Sequence, residues 1–255
     1  MNKFTRRTVI AAACAAAAMT FAPMSFAQQA PEKKDVTIAV GGKSLYYYLP
    51  LSIAEQLGYF KDEGLNVKIV DFQGGSRSLQ AVVGGSADVV SGAFEHTISM
   101  QAKKQPMTAF VLQGRAPQLA LVVSNKTMKD YKQLSDLKGK KVGVTAPGSS
   151  SQMVANFILK KGGLGPKDVA FIGVGSSSGA VSAIRSGQID ALINLDPVIT
   201  ILLKNGDAKL VADTRKVKES ESFFGGTMPA GCLYAPVSFI EKNPKTVQAL
   251  TNAIV

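Results

Sequence analysis

The sequence predicts an α/β protein of two similar lobes, each a largely parallel sheet flanked by helices. Three observations carry that prediction. Short β-branched runs alternate with glycine-bounded amphipathic stretches, the pattern of βαβ units. The same order of elements returns at an offset of 102 to 104 residues. The chain has 255 residues, more than one simple core usually holds, and 46% hydrophobic against 18% charged residues place it among folded chains.

The first segment stands apart. Lys3, Arg6 and Arg7 precede an apolar stretch over 9–22, and Ser25-Phe26-Ala27 supplies small residues at a cleavage site. This is the layout of a secretory signal over 1–27, cut near Ala27. The apolar stretch is shorter than the roughly 20 residues a membrane span needs. Thr5-Arg6-Arg7-Thr8 partly resembles a twin-arginine signal, but paired basic residues are also ordinary in a general secretory one. Cleavage removes three cations and no acid, so the formal charge falls from +11 to +8. One cysteine remains, Cys232, which is expected to be a small buried apolar residue. The lysines are scattered and not interleaved with aromatics, which argues against nucleic acid as a partner.

Residues 28–35 are polar and contain proline, and are expected to form a linker. Lobe I is expected over 36–124. It opens with a β-branched strand over 36–40 ended by Gly41-Gly42. Pro50 starts a helix over 51–57, because its missing N–H suits the first turn, and Gly58 ends it. A strand over 67–72, a helix over 77–83 and a strand over 87–90 follow. Lobe II is expected over 125–230, with strands at 141–144, 169–174 and 191–193 and helices at 152–161 and 178–186. Residues 231–255 return to lobe I. The register supports duplication: Gly85 matches Gly187, Asp88 matches Asp190 and Val67 matches Val169 at 102 residues, while Val40 matches Val144 at 104.

In open sheets of this kind, ligands bind beyond the carboxyl ends of the strands, so a ligand cleft is expected between the lobes. Three loops there pair glycine with serine at a helix start: Gly74-Gly75-Ser76-Arg77, Gly148-Ser149-Ser150-Ser151 and Gly175-Ser176-Ser177-Ser178. Glycine lets a ligand approach the backbone, and free N–H groups at a helix start attract an anionic oxygen. Gly75, Ser76, Arg77, Ser149, Ser150, Ser151 and Ser176 are therefore candidate ligand contacts, with plain helix capping the competing role for any one serine. Ser44 with Tyr46 or Tyr47 is expected to face the cleft after the first strand, at least one tyrosine being core. Phe94 and Glu95 follow the third strand, and Asn194 and Asp196 are their second-lobe counterparts, Asp196 also suiting a helix cap. Gly226 is expected at the cleft edge.

His96 is the only histidine, which leaves no histidine cluster for a metal and one base for a serine triad. There is no Walker A loop, Gly-x-Ser-x-Gly elbow or dinucleotide fingerprint. A binding protein without metal or cofactor is expected, not an enzyme.

The run Leu51-Ser52-Ile53-Ala54-Glu55-Gln56-Leu57-Gly58-Tyr59-Phe60-Lys61-Asp62-Glu63-Gly64-Leu65-Asn66-Val67 resembles a signature of ABC-importer substrate-binding proteins of the nitrate/sulfonate/taurine type. Gly85-Ser86-Ala87-Asp88-Val89, Pro147-Gly148-Ser149-Ser150, Gly187-Gln188-Ile189-Asp190-Ala191 and Phe239-Ile240-Glu241-Lys242-Asn243-Pro244 extend the likeness over nearly all of the mature chain. The resemblance implies a periplasmic-binding-protein type II fold and a monomer in the periplasm. It implies capture of a small anionic solute (sulfonate, taurine, nitrate or carboxylate) by hinge closure, and delivery to a permease and ATPase at the inner membrane. Its relatives add three alternatives: a binder of a pyrimidine thiamine precursor, a thiamine-pyrimidine synthase-like enzyme, or a solute receptor for a sensor. Synthases of that kind carry a cysteine-rich motif, which this chain lacks. Proteins of the importer group run further, so the end at Val255 is expected to leave the first lobe truncated.

Overall fold

Side-chain alternation along the first strand sets the layers. In β1 (Asp35–Val40), Ile38 and Val40 join one apolar cluster with Leu51 and Phe60, while Ala39 joins another with Leu79 and Val82. A strand buried on both faces needs helices on both, and its run is accordingly apolar from Ile38 to Val40. The computed structural model describes residues 30–255. The signal expected over 1–27 lies outside them.

β1 pairs in parallel with β2 (Asn66–Asp71) and β3 (Val89–Ala93). Helices α1 (Leu49–Leu57), α2 (Tyr59–Asp62) and α3 (Gly75–Val83) form the crossovers. Helix α4 (Glu95–Ala102) then leads to β4 (Met107–Leu112). The second half repeats this with β6 (Lys141–Val144), α5 (Ser150–Lys161), β7 (Ala170–Gly173), α6 (Ser178–Ser186), β8 (Ala191–Asn194), α7 (Val198–Lys204), β9 (Ala208–Asp213) and α8 (Val217–Phe224). The duplication is visible at the level of pairing. Ile38 lies opposite Val89, and 104 and 102 residues further on Val142 lies opposite Ala191. The repeated aspartates share a job. Asp88 accepts the Thr37 N–H at 2.9 Å, and Asp190 accepts the Lys141 N–H at 3.0 Å, so each fastens the first half of β1 or β6.

Each sheet has five strands, ordered β2-β1-β3-β10-β4 and β7-β6-β8-β5-β9. Neither is purely parallel. β10 (Gly231–Pro236) runs antiparallel between β3 and β4, and β5 (Ala120–Ser124) does the same between β8 and β9. Each antiparallel strand is the one the chain enters just after crossing between sheets. After β10, α9 (Val237–Lys242) and α10 (Pro244–Ile254) pack back on the first lobe.

Two expected boundaries are corrected. Residues 120–124, placed in lobe I from sequence, belong to the second sheet, because β5 has its ladder with β8 and β9. The linker expected over 28–35 is part of the fold from Glu32 onward. The Glu32 carboxylate accepts the Lys245 and Thr246 N–H groups at the start of α10, and the Lys33 N–H donates to Thr246 Oγ1 at 2.9 Å.

Candidate functional site

The loops after the strands of both sheets meet face to face. The Ser76 N–H donates to Ser149 Oγ at 3.0 Å, the Ser76 hydroxyl donates to the Pro147 carbonyl at 2.9 Å, and the two serine hydroxyls lie 3.2 Å apart. The Tyr46 N–H donates to the Asp196 carbonyl at 3.0 Å. Two glycines make this approach possible. Gly42, at φ +109°, faces Ser176 so closely that a Cβ would run into its hydroxyl, and at Gly74, φ +95°, a Cβ would lie 2.8 Å from the Ala146 Cβ. Both angles are rarely adopted by L side chains. The lobes are therefore shut on one another through residues far apart in the chain, from Ser76 and Pro147 to Tyr46 and Asp196. The two crossings, at 113–119 and 225–230, also bond side by side, Ala230 N–H to Gly114 carbonyl at 3.1 Å.

The first-lobe wall behind these contacts holds an unusual set of polar atoms. Tyr47 hydroxyl, Glu95 Oε1, His96 Nε2 and Gln113 Nε2 are all shut off from solvent and lack a hydrogen-bond partner within the protein. Leaving such a group unpaired costs about 1–3 kcal/mol, so four in one wall need a reason. Their neighbours are paired: Gln113 Oε1 takes the Ser91 hydroxyl at 2.7 Å, and His96 Nδ1 lies 2.8 Å from the Tyr234 hydroxyl. Burial pushes the Glu95 carboxyl up to about 7, and bonding to its own backbone N–H only partly offsets this. Burial pulls His96 down to about 4. The Gly148 backbone pulls the other way without the geometry of a full hydrogen bond. Burial, helped by the Glu95 charge, raises the Tyr47 phenol and takes the Cys232 thiol to about 12.

The Glu95 and His96 end of this wall opens on a pocket of about 580 Å³ between the lobes. Glu95 and His96 form one end, Ser149 and Gly226 the rim, and Met153, Phe157 and Phe224 an apolar side. The Phe157 and Phe224 rings stand 5.2 Å apart. A smaller polar pocket on the other margin is lined by Arg77, Gln73 and Thr145.

The residues singled out from sequence fall into three groups. Tyr47, Glu95, Ser149 and Gly226 reach the wall or its pocket, and Gly75 stands against them, its position abutting the His96 ring. Ser76 and Ser176 sit at the seam between lobes, and Arg77 lies exposed at its margin. The rest are engaged elsewhere. Ser44 and the Tyr46 ring are exposed, because the 3-10 turn Tyr46–Tyr48 points Tyr47 and Tyr48 inward. Phe94 packs on the cluster with Tyr234. Ser150 opens α5 half-buried, and Ser151 is fully buried with its hydroxyl bonded to Thr145. Asn194 spans from the Gly175 carbonyl to the Leu195 N–H. Asp196 holds the Thr200 N–H, the Thr200 hydroxyl and Arg215, the capping role weighed for it. At the N-cap positions Ser149 and Ser177 the side chains make no capping hydrogen bond, and only the backbone carbonyls bond to the helices that follow. Phe224 belongs to the Phe224-Gly225-Gly226-Thr227 run that the sequence sets at the cleft edge, whereas Gln113, Tyr234, Met153 and Phe157 are not picked out by sequence. Phe157 and Gln113 follow no motif.

Two mixed sheets joined by two crossings, with their loops facing across a seam, define the two-lobed architecture of periplasmic binding proteins. The chain belongs to the family described as NMT1/THI5 like, whose pattern matches residues 46–255. A solved structure from Bordetella bronchiseptica RB50 is 63% identical with a TM-score of 0.88, over 89% of this chain and 71% of that one. The alkanesulfonate-binding protein SsuA from Xanthomonas axonopodis pv. citri, bound to MOPS, shares the fold at 21% identity and TM-score 0.69, over 88% of this chain and 72% of that one. The periplasmic nitrate-binding protein NrtA from Synechocystis PCC 6803 does so at 18% and 0.72, over 88% and 61%. Among curated relatives, the putative binding protein YtlA of Bacillus subtilis is 26% identical over all of this chain and 73% of its own length. The 4-amino-5-hydroxymethyl-2-methylpyrimidine phosphate synthase of Schizosaccharomyces pombe is 25% identical over 86% of this chain and 63% of its own. Among the described residues, no group of three or more His, Cys, Asp or Glu is placed to hold a metal, and no helix is long and apolar enough to cross a membrane.

Proposed function

We propose that this chain is an exported solute-binding protein of an ABC importer. It captures a small molecule between its lobes by hinge closure and delivers it to a permease and ATPase at the inner membrane. The observation that carries this reading is the wall of four buried, unpartnered polar atoms at the seam. A ligand that pairs them recovers their desolvation cost, and a seam formed by loops is one that a hinge can open. YtlA, described as a putative binding protein, supports it, as does the shared fold with SsuA and NrtA. The test is thermal shift of the mature protein against nitrate, taurine, sulfonates, carboxylates, amines and pyrimidines. A solute at 100 times its dissociation constant stabilises by about 2.7 kcal/mol. A panel without any shift counts against capture.

The anionic solute implied by resemblance has weaker local support. One N–H in each of its three glycine-serine loops is engaged: Ser76 by Ser149, Gly148 by Gln152 Oε1 at 2.8 Å, and Gly175 by the Thr145 carbonyl at 3.0 Å. A second reading, a pyrimidine-forming enzyme, is favoured by the synthase relatives and by the neutral His96, whose Nε2 has no partner within the protein. Chemical change of a bound pyrimidine during incubation would move the conclusion to it.

A further inference from the structure

The chemistry of the pocket narrows the solute class. At its inner end stands Glu95, the first residue of α4. A helix start favours a carboxylate there, yet burial outweighs that and holds the group near neutrality. The groups that face it are Tyr47 from the 3-10 turn with Tyr48 behind, Cys232 and Tyr234 from β10, and His96 beside it on α4. None of these is a cation at neutral pH, because His96 is held neutral. Oε1 thus has neither a donor nor a counter-charge from the protein. The acceptor end is matched by an apolar side of Met153, Phe157 and Phe224, whose rings would pack on a flat or aliphatic body. Of the arginines near the seam, Arg77 is exposed and lines the separate polar pocket, and Arg215 is taken up by Asp196 and Asp213.

We infer that the solute is a nitrogen base, an amine or amidine on an apolar body, whose N–H group is taken by Glu95 while its body lies against Met153, Phe157 and Phe224. This rests on the reading of the chain as a solute-capturing protein. An anion of the same shape would meet Glu95 head-on and have no buried cation to hold it. A charge-assisted hydrogen bond to a carboxylate in a site of this burial is strong, and an unpaired one is costly, so the preference is steep.

Three probes of one shape and three charges test this: benzamidine, benzamide and benzoate, measured by titration calorimetry on the mature protein at pH 8. Benzamidine is expected to bind at least tenfold more tightly than benzoate. Glu95→Gln, isosteric and without the charge, should erase the preference for benzamidine over benzamide. In the wild type, benzamidine affinity should weaken by about tenfold per pH unit below 7 as the carboxyl protonates, and E95Q should be flat over that range. Phe157→Ala should weaken all three probes alike. Since Phe157 is 45% exposed, this variant is expected to fold. Benzoate binding as tightly as benzamidine, or benzamidine binding unchanged in E95Q, overturns the inference and leaves solute capture standing. If none of the three binds while an anion of the wider panel does, the inference is overturned too. If both sets are without effect, the capture reading falls with it.

Discussion

Replacing Tyr47 by phenylalanine is expected to stabilise the ligand-free protein, against the usual direction for a buried tyrosine. Its hydroxyl is buried and has no partner, while its ring is held edge-on to Tyr48 with centroids 5.1 Å apart. Removing an unpaired buried hydroxyl recovers about 1–3 kcal/mol and leaves the ring packing in place. In a fold of this size each kcal/mol moves the melting temperature by about 2–4 °C. Two neighbouring tyrosines supply the opposite control. The Tyr48 hydroxyl accepts the Gly41 N–H at 3.2 Å, and the Tyr234 hydroxyl pairs with His96 at 2.8 Å. Tyr48→Phe and Tyr234→Phe each strand a buried partner and should cost about 1–3 kcal/mol. Calorimetric melting of the three variants, stripped of ligand by unfolding and refolding, reads the contrast directly. If Tyr47→Phe melts below the wild type while either control melts above it, the assignment of orphaned polar atoms to the first-lobe wall is wrong. A solute that uses the hydroxyl should also shift Tyr47→Phe less than the wild type.

Stability against pH should carry two opposed contributions. His96 is depressed from 6.5 to about 4, so its contribution is present above 6.5 and is lost as pH falls through 4. Glu95 is raised from 4.5 to about 7, so its contribution is present below 4.5 and is lost as pH rises through 7. Melting of E95Q should therefore rise with pH between 4.5 and 6.5 more steeply than the wild type and exceed it above 7; equal slopes refute the account. Gly42→Ala places a methyl against Ser176 at a strained φ, a cost of at least about 1–2 kcal/mol, and should prop the lobes apart. X-ray scattering should then show a larger radius of gyration, reversed when Ser176→Gly is added; a profile matching the wild type counts against the collision. Asp88→Ala and Asp190→Ala should each cost about 1–3 kcal/mol in urea unfolding, Asp88→Ala more because it also loses the Lys33 pair at 2.6 Å. Equal losses would mean that the pair adds nothing.

The repeat was legible because it lies in local signals. β-branched runs and helix-ending glycines recur in register, and the ladders place Ile38 opposite Val89 and Val142 opposite Ala191 as that register requires. What escaped is non-local. The apolar run at 120–124 reads as a strand anywhere, and only its partners β8 and β9 put it in the second sheet. For Ser149 the sequence offers a ligand contact or a cap for its own helix, both local to its loop, whereas its hydroxyl reaches Ser76 from the facing lobe. The tyrosine run shows a different limit. Three consecutive identical residues carry no periodicity, and the 3-10 turn alone sends Tyr46 outward and the other two inward. Glu95 stood out beside the third strand, but its isolation from cations depends on β10, more than a hundred residues downstream. Gln113 followed no motif, and its place in the wall comes from the crossing that carries it.

The antiparallel strands have a consequence for the order in which the molecule can be completed. β10 is not an edge of the first sheet but its fourth position, between β3 and β4. Everything else in that sheet is made before residue 113, yet β4 has no neighbour in the ladder until 231–236 is available. The second sheet draws all five strands from 120–213. The half that is synthesised later can thus close on itself first, and the half that is synthesised earlier waits, with a gap one strand wide, for the chain to come back.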